Sequence, residues 1–272
     1  MRRLMLVLGL LMLAPGAFAD EFEIPVLRGS SPFVPAAPKY TGWSGFYAGG
    51  QIGYGWGSFD FSRATQSLVA FALRETALEE GAHPSQWQVL GNASSGGGAF
   101  GAFAGFNSQW DDLILGIDVN YSRTSFGADA QLTPIGRQVA SGNLFDVFVT
   151  GNASMTITDI GTARVRAGYV MNNVVPFGTF GMAVGRANIS RSATVFGIQN
   201  SDSPANAFPF SFSASETKNG TFIYGYSAGL GADILVMPNV FLRGEWEFVK
   251  FLETSGIRSQ IQMLRAGAGL KF

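Results

Sequence analysis

Cysteine is absent from the 272 residues, histidine occurs once, and charged side chains make up only 14%. These shortages exclude much chemistry. No set of thiolate or imidazole ligands exists at zinc spacing. A hydrolase needs a base poised beside a nucleophile, and the single candidate, His83, stands in Gly81-Ala82-His83-Pro84, a loop-forming context. Gly96-Gly97-Gly98 is followed by no Lys-Ser/Thr pair, so it is no phosphate loop. The expectation is a protein that is not an enzyme and holds no metal. Basic excess is missing too, with 18 Lys and Arg against 19 Asp and Glu, which gives no footprint for nucleic acid. After residue 19 no apolar run approaches the roughly 20 residues that a spanning helix needs.

What is present points to export. Arg2 and Arg3 precede an apolar stretch from Leu4 to Ala14, and Ala17-Phe18-Ala19 is a small-x-small cleavage site. Residues 1–19 therefore read as a cleavable signal peptide. Residues 20–41 contain Pro25, Pro32, Pro35 and Pro38 and read as an extended periplasmic lead-in. Residues 42–272 read as one β domain.

In that domain, period-2 alternation recurs between connections that are short and long in turn. The strands are placed at about 45–56, 98–109, 113–124, 155–170, 174–187, 221–236, 240–251 and 259–272. Short turns fall at 110–112, 171–173 and 237–239; longer connections cover 57–97, 125–154, 188–220 and 252–258. Phe46, Ile52, Tyr54 and Trp56 share one face of the first strand, with Tyr47, Gly49 and Gln51 on the other. Apolar residues facing lipid and small or polar residues facing a lumen predict an all-β, eight-stranded antiparallel transmembrane barrel. Its topology is up-and-down, with both termini periplasmic. Tyr54, Trp56, Trp110, Tyr121, Tyr169, Phe251 and Phe272 fit aromatic girdles at the two interfaces.

Parity sends Asp118, Arg164, Arg166, Glu245, Glu247 and Arg265 inward near mid-membrane. On the lipid face an arginine at that depth would cost about 2–4 kcal/mol. An eight-stranded barrel is just wide enough to be filled by side chains. Three acids facing three arginines therefore suggest a salt-bridge network that closes the lumen. The alternative is an ion-conducting lining or proton relay.

Five segments carry a resemblance: Trp43-Ser44-Gly45-Phe46-Tyr47-Ala48-Gly49-Gly50-Gln51-Ile52-Gly53-Tyr54-Gly55, Leu115-Gly116-Ile117-Asp118, Gly161 through Tyr169, Leu242-Arg243-Gly244-Glu245-Trp246 and Arg265-Ala266-Gly267. The chain resembles the small alphaproteobacterial outer-membrane barrels described as immunogenic or haemin-binding proteins. That resemblance implies the outer membrane of a Gram-negative bacterium. It also implies that terminal Phe272 is read by the β-barrel assembly machinery. Function is expected to be structural, supporting the envelope, with a closed lumen and a monomeric state. Loop-mediated binding of haem or of a host surface is the alternative, through Phe71, His83, Phe208 and Phe210; a small pore is the third. In the first long connection, residues 62–80 read as one short helix with Leu68, Phe71, Ala72 and Leu78 on one face.

Overall fold

The computed structural model describes residues 42–272 with the exception of 142. The signal peptide and the lead-in expected over residues 1–41 lie outside the described residues. Eight strands follow in order: β1 Gly45–Asp60, β2 Asn92–Trp110, β3 Leu113–Ser141, β4 Asn143–Tyr169, β5 Val174–Gln199, β6 Phe208–Met237, β7 Val240–Phe251 and β8 Arg258–Lys271. Each pairs antiparallel with its chain neighbours, and β1 pairs with β8 to close the barrel.

Alternation builds the wall. Along β7 the outward Leu242 and Trp246 are exposed, while Arg243, Glu245 and Glu247, of opposite parity, are buried. Around the barrel the outward set is almost entirely apolar, including Phe46, Ile52, Phe100, Ile117, Val165, Phe180, Met182, Leu230 and Leu264. Water would disfavour such a band, whereas hydrocarbon accepts it, and closure leaves no unpaired strand edge within it. Three tight turns join strands at the end where the chain terminates. Asp111 and Asn172 take positive φ there, 50° and 55°, a conformation that Asp and Asn tolerate.

The opposite end departs from the sequence reading. Connections 125–154 and 188–220 are not loops. β3 and β4 continue as a hairpin paired out to Ser141 and Asn143, and β5 and β6 as one paired out to Gln199 and Phe208. Together these four strands form a ribbon sheet standing beyond the barrel. Register shifts mark where it begins, at Arg123/Phe126 on β3, Ile157/Asp159 on β4 and Ala187/Ile189 on β5. The bulge at Thr158 inserts one residue in β4 and so exchanges its faces. Ala163 and Val165 point outward below it, and Val147, Val149, Met155 and Ile157 are buried inward above it.

The first connection carries two short helices rather than one, α1 Gln66–Ala72 and α2 Ala77–Ala82. Glu75 at φ 62° breaks them. Leu68, Val69, Leu73 and Leu78 are the buried residues, and they pack on Phe145, Val147, Val149 and Val195 of the ribbon. Phe71, expected on that face, is exposed instead, with the Arg74 guanidinium 4.4 Å above its ring. Phe251, expected in a girdle, is buried inside the lumen, because it shares parity with Glu245 and Glu247.

Candidate functional site

The lumen is the most densely functionalised part of the molecule. At mid-height Asp118 comes from β3, Arg164 and Arg166 from β4, Glu245 and Glu247 from β7, and Arg265 from β8. All six are buried. The fold brings in two further charges, Asp233 of β6 and Arg243 of β7, also buried. Three of the pairs are direct cross-strand neighbours: Asp118 with Arg164, Asp233 with Arg243, and Glu245 with Arg265.

The contacts run as one chain across the barrel. Arg166 pairs with Asp233 at 2.6 Å, and Asp233 accepts from Arg243 Nε at 2.8 Å. Arg243 Nη1 reaches Asp118 at 3.0 Å. Asp118 pairs with Arg164, which in turn holds Glu245 and, at 2.9 Å, Glu247. Arg265 ends the chain on Glu245 at 3.0 Å and Glu247 at 2.9 Å. The last contact is an ion pair whose Glu247 oxygen lacks hydrogen-bond alignment. Tyr47 donates its hydroxyl to Asp118 at 2.8 Å, and Arg265 donates to Asn120 at 3.0 Å. Four acids face four arginines, so the network is neutral. That balance is what permits burial, because an unpaired ion in a low-dielectric interior costs several kcal/mol.

Apolar layers cover the network on both sides. Toward the chain termini lie Trp43, Tyr47, Phe103, Ile114, Val170, Val175 and Phe241. The Arg243 guanidinium sits 4.3 Å from the Phe103 ring centre, and Arg166 sits 3.8 Å from that of Phe177. Toward the ribbon lie Phe59, Phe61, Phe126, Met155, Ile189, Phe251, Ile261 and Met263 among others. Gly181 lies beside Arg164, and a Cβ there would fall 2.1 Å from the Ala163 carbonyl oxygen. Only glycine fits that position, where β5 comes close to the backbone of β4.

Asp233 and Arg243 had the inward parity that would have signalled them. Tyr47 had the same signal.

The ribbon end holds the other residues singled out from sequence. His83 caps α2 in the left-handed conformation, φ 47°, with its side chain exposed. Phe208 is exposed, whereas Phe210 is half-buried against Phe145, with ring centres 6.2 Å apart. Phe71, His83 and the pair Phe208 and Phe210 stand on three different elements: α1, the C-terminal cap of α2, and β6. Phe272 lies on the outer face at the terminal end, 76% exposed, its amide donating to the Phe46 carbonyl. Among the described residues no three His, Cys, Asp or Glu side chains are grouped to hold a metal.

Arg191 is a second convergence point. Its guanidinium donates to the Ala64 carbonyl, the Ser67 hydroxyl, the Ser255 carbonyl and the Glu216 carboxylate. One side chain of β5 thus ties together the helical cap, the β7–β8 connection and β6. Hydrogen bonds from Lys218 and Arg191 hold the Glu216 carboxyl below its ordinary range.

Comparison with known proteins adds three findings. A model of the outer membrane protein β-barrel domain matches residues 30–272. The 25 kDa outer-membrane immunogenic protein of Brucella ovis is 27% identical over 260 residues, covering 93% of this chain and 91% of the relative. Its counterpart in Brucella abortus biovar 1 is 26% identical over 268 residues, covering 93% and 92%. Among solved structures, the attachment invasion locus protein Ail of Yersinia pestis aligns with a TM-score of 0.34 at 12% identity, covering 84% of this chain and 99% of that one.

Proposed function

The chain belongs to the outer membrane protein β-barrel domain family and resides in the outer membrane of a Gram-negative bacterium, and from that premise we propose that it is a closed, non-conducting envelope barrel. In this reading it works as a monomer, lends structure to the membrane and displays a rigid ribbon at the cell surface. Both termini and the three tight turns face the periplasm, and the ribbon and helical cap face outward. Residues 1–19 serve as the leader, and Phe272 is the aromatic end that the assembly machinery reads. No catalytic step is assigned.

The observation that carries the proposal is the sealing of the lumen. A neutral eight-charge ladder lies between two apolar layers. An ion entering it would have to displace paired groups, and a proton would have to cross two apolar layers. Protein reconstituted in planar bilayers is expected to show no steady single-channel conductance. Stable openings at low voltage would make the lumen a wet pore and overturn the proposal.

A second reading has its own support. Phe71, Phe208 and Phe212 are exposed at the ribbon end, and a contiguous exposed apolar patch marks a binding surface. Haem or a host surface would dock there. Haemin titration in detergent should shift the Soret band if haem is the ligand, and Phe208→Ser should weaken that response. An unshifted spectrum at micromolar haemin removes haem from consideration.

A further inference from the structure

The helical cap covers one face of the ribbon and leaves the other open. That open face continues the lipid-facing wall of the barrel, yet its composition is different. Rows of amides, hydroxyls and one carboxylate replace the apolar band. Gln131, Asn152 and Ser192 form one cross-strand row, and Asp129, Ser154 and Ser190 form the next. Between the rows lies backbone, because the side chains of Ala153 and Arg191 turn inward and are buried. The two rows enclose a shallow recess of about 190 Å³. Its six outward side chains make no hydrogen bond or ion pair among the described residues. They can both donate and accept: the Asp129 carboxylate accepts, and the amides and serine hydroxyls do either.

An aromatic step stands on the same face, nearer the ribbon tip. Phe148 of β4 is the cross-strand neighbour of Phe196 of β5, with ring centres 5.5 Å apart and planes 18° from parallel. On its other side Phe148 meets Gly136 of β3, where a Cβ would fall 2.4 Å from the ring. The glycine lets the ring lean over the β3 backbone, and Phe148 stays 40% exposed. Four residues separate Phe148 from Asn152, about 13 Å along the strand at roughly 3.3 Å per residue. The charge of the face is equally distinctive. Among its described residues it carries the acids Asp129 and Asp146 and no Lys or Arg. Arg137, Arg191 and Lys218 of the same strand segments have the opposite parity, and each is engaged, over Trp87 or on Glu216. A face without cations does not select phosphate or sulfate esters, which call for guanidinium or ammonium partners.

We propose that the open face of the ribbon binds a neutral, β-linked oligosaccharide chain, with one sugar ring in the Asp129–Asn152–Ser192 recess and another on the Phe148–Phe196 step. A pyranose ring has hydroxyls around its edge and C–H bonds on its faces. The hydroxyls match the unengaged carboxylate, amides and serines, and a C–H face matches the negative face of an aromatic ring. The distance from recess to step calls for a short chain rather than one sugar. A β-linked chain of equatorial sugars is extended and flat, as the sheet is, whereas an α-linked chain coils away from it. This activity goes beyond the envelope role proposed above and does not depend on whether the lumen conducts.

The test uses full-length mature protein in lauryldimethylamine oxide, a detergent with no sugar head to compete. Cellotetraose, N-acetylchitotetraose, maltotetraose and a heparin tetrasaccharide are titrated calorimetrically. One or both of the β-linked neutral chains should bind, maltotetraose more weakly, and the heparin fragment not at all. D129A/N152A removes two hydrogen-bonding groups and should weaken binding about tenfold. F148A should weaken it about fivefold, and F148Y, which keeps the ring, should restore it. S154R fills the recess and should abolish binding, while E80A, on the helical cap, should bind like wild type. Heat-modifiable gel migration reports that each variant is folded, and the surface substitutions D129A/N152A and S154R leave the aromatic packing intact. Silence with both β-linked chains overturns the proposal. So does maltotetraose binding as tightly as they do, tighter binding of the heparin fragment, or wild-type affinity in folded S154R.

Discussion

Glu245→Ala should lower the stability of the folded barrel by about 3–5 kcal/mol, the usual cost of removing one partner from a buried ion pair. Glu245 lies between Arg164 and Arg265 and contacts both. Its loss leaves four arginines facing three acids, all buried. Relief by deprotonation is closed, because arginine keeps its proton in proteins. Glu245→Gln, nearly the same shape, should lose most of the same stability, which separates charge from packing. Glu80→Ala is the comparison: Glu80 is exposed on α2, where an ion pair is worth roughly 0–1 kcal/mol. Urea midpoints in detergent measure all three. Equal midpoints for Glu245→Ala and Glu80→Ala would mean that water reaches the network.

Arg191→Ala should have the next largest effect, and a local one. The substitution withdraws four acceptors' partner at once, and hydrogen bonds to charged groups contribute about 1.5–3 kcal/mol each where they are buried. Part of that is discounted because Glu216 is about one-third exposed. A net loosening of about 2–3 kcal/mol raises the open population of the cap by roughly 30- to 150-fold. Limited proteolysis should then cut within residues 61–91, while the urea midpoint of the barrel stays near wild type. The link to pH follows from Glu216. Its carboxyl titrates below its ordinary value of 4.5, so the contribution is complete above that pH and fades as pH falls through the lower, folded value. Cap cleavage in the wild type should therefore rise only in acid. A cap that stays resistant in Arg191→Ala would show that its apolar contacts with the ribbon hold it alone.

Strand identity, order and pairing were legible because each membrane strand alternates lipid-facing and lumen-facing residues over its whole length. β7, Val240–Phe251, has the bounds that alternation gives. The ribbon was not legible by the same criterion. Above Arg123 and Ile157 the sheet leaves lipid, and its apolar face becomes the inner one. Phe145, Val147 and Val149 alternate with Asp146 and Thr150, but the apolar Phe148 stands on the outer face and breaks the pattern. A search for outward apolar residues stops where that polarity reverses, and the one-residue bulge at Thr158 hides the continuity further. For the lumen, inward parity identified Asp118, Arg164, Arg166, Glu245, Glu247 and Arg265, but strand stagger sets which heights meet. Arg166 therefore pairs with Asp233 of β6, at a level assigned to no network from sequence. The helix break at Glu75 involves neither Gly nor Pro, but Thr76-Ala77-Leu78-Glu79 carries the capping pattern that starts α2, with the Thr76 side chain accepting from the Glu79 amide.

The charge ladder also bears on how the chain reaches its final state. Arg164 and Glu245 are separated by 81 residues, and Arg164 and Asp118 by 46. The hairpins β3–β4 and β7–β8 each bring a matched cross-strand pair, but Arg166 reaches Asp233, and Arg164 reaches Glu245 and Glu247, only across the lumen. An open, half-inserted sheet would expose guanidiniums and carboxylates to hydrocarbon with their counter-charges still elsewhere. Insertion and closure are therefore expected to be coupled, with β1 meeting β8 as the last step. The same ionic chain that fills the interior thereby acts as a kinetic gate, discouraging partly zipped barrels from persisting in the bilayer.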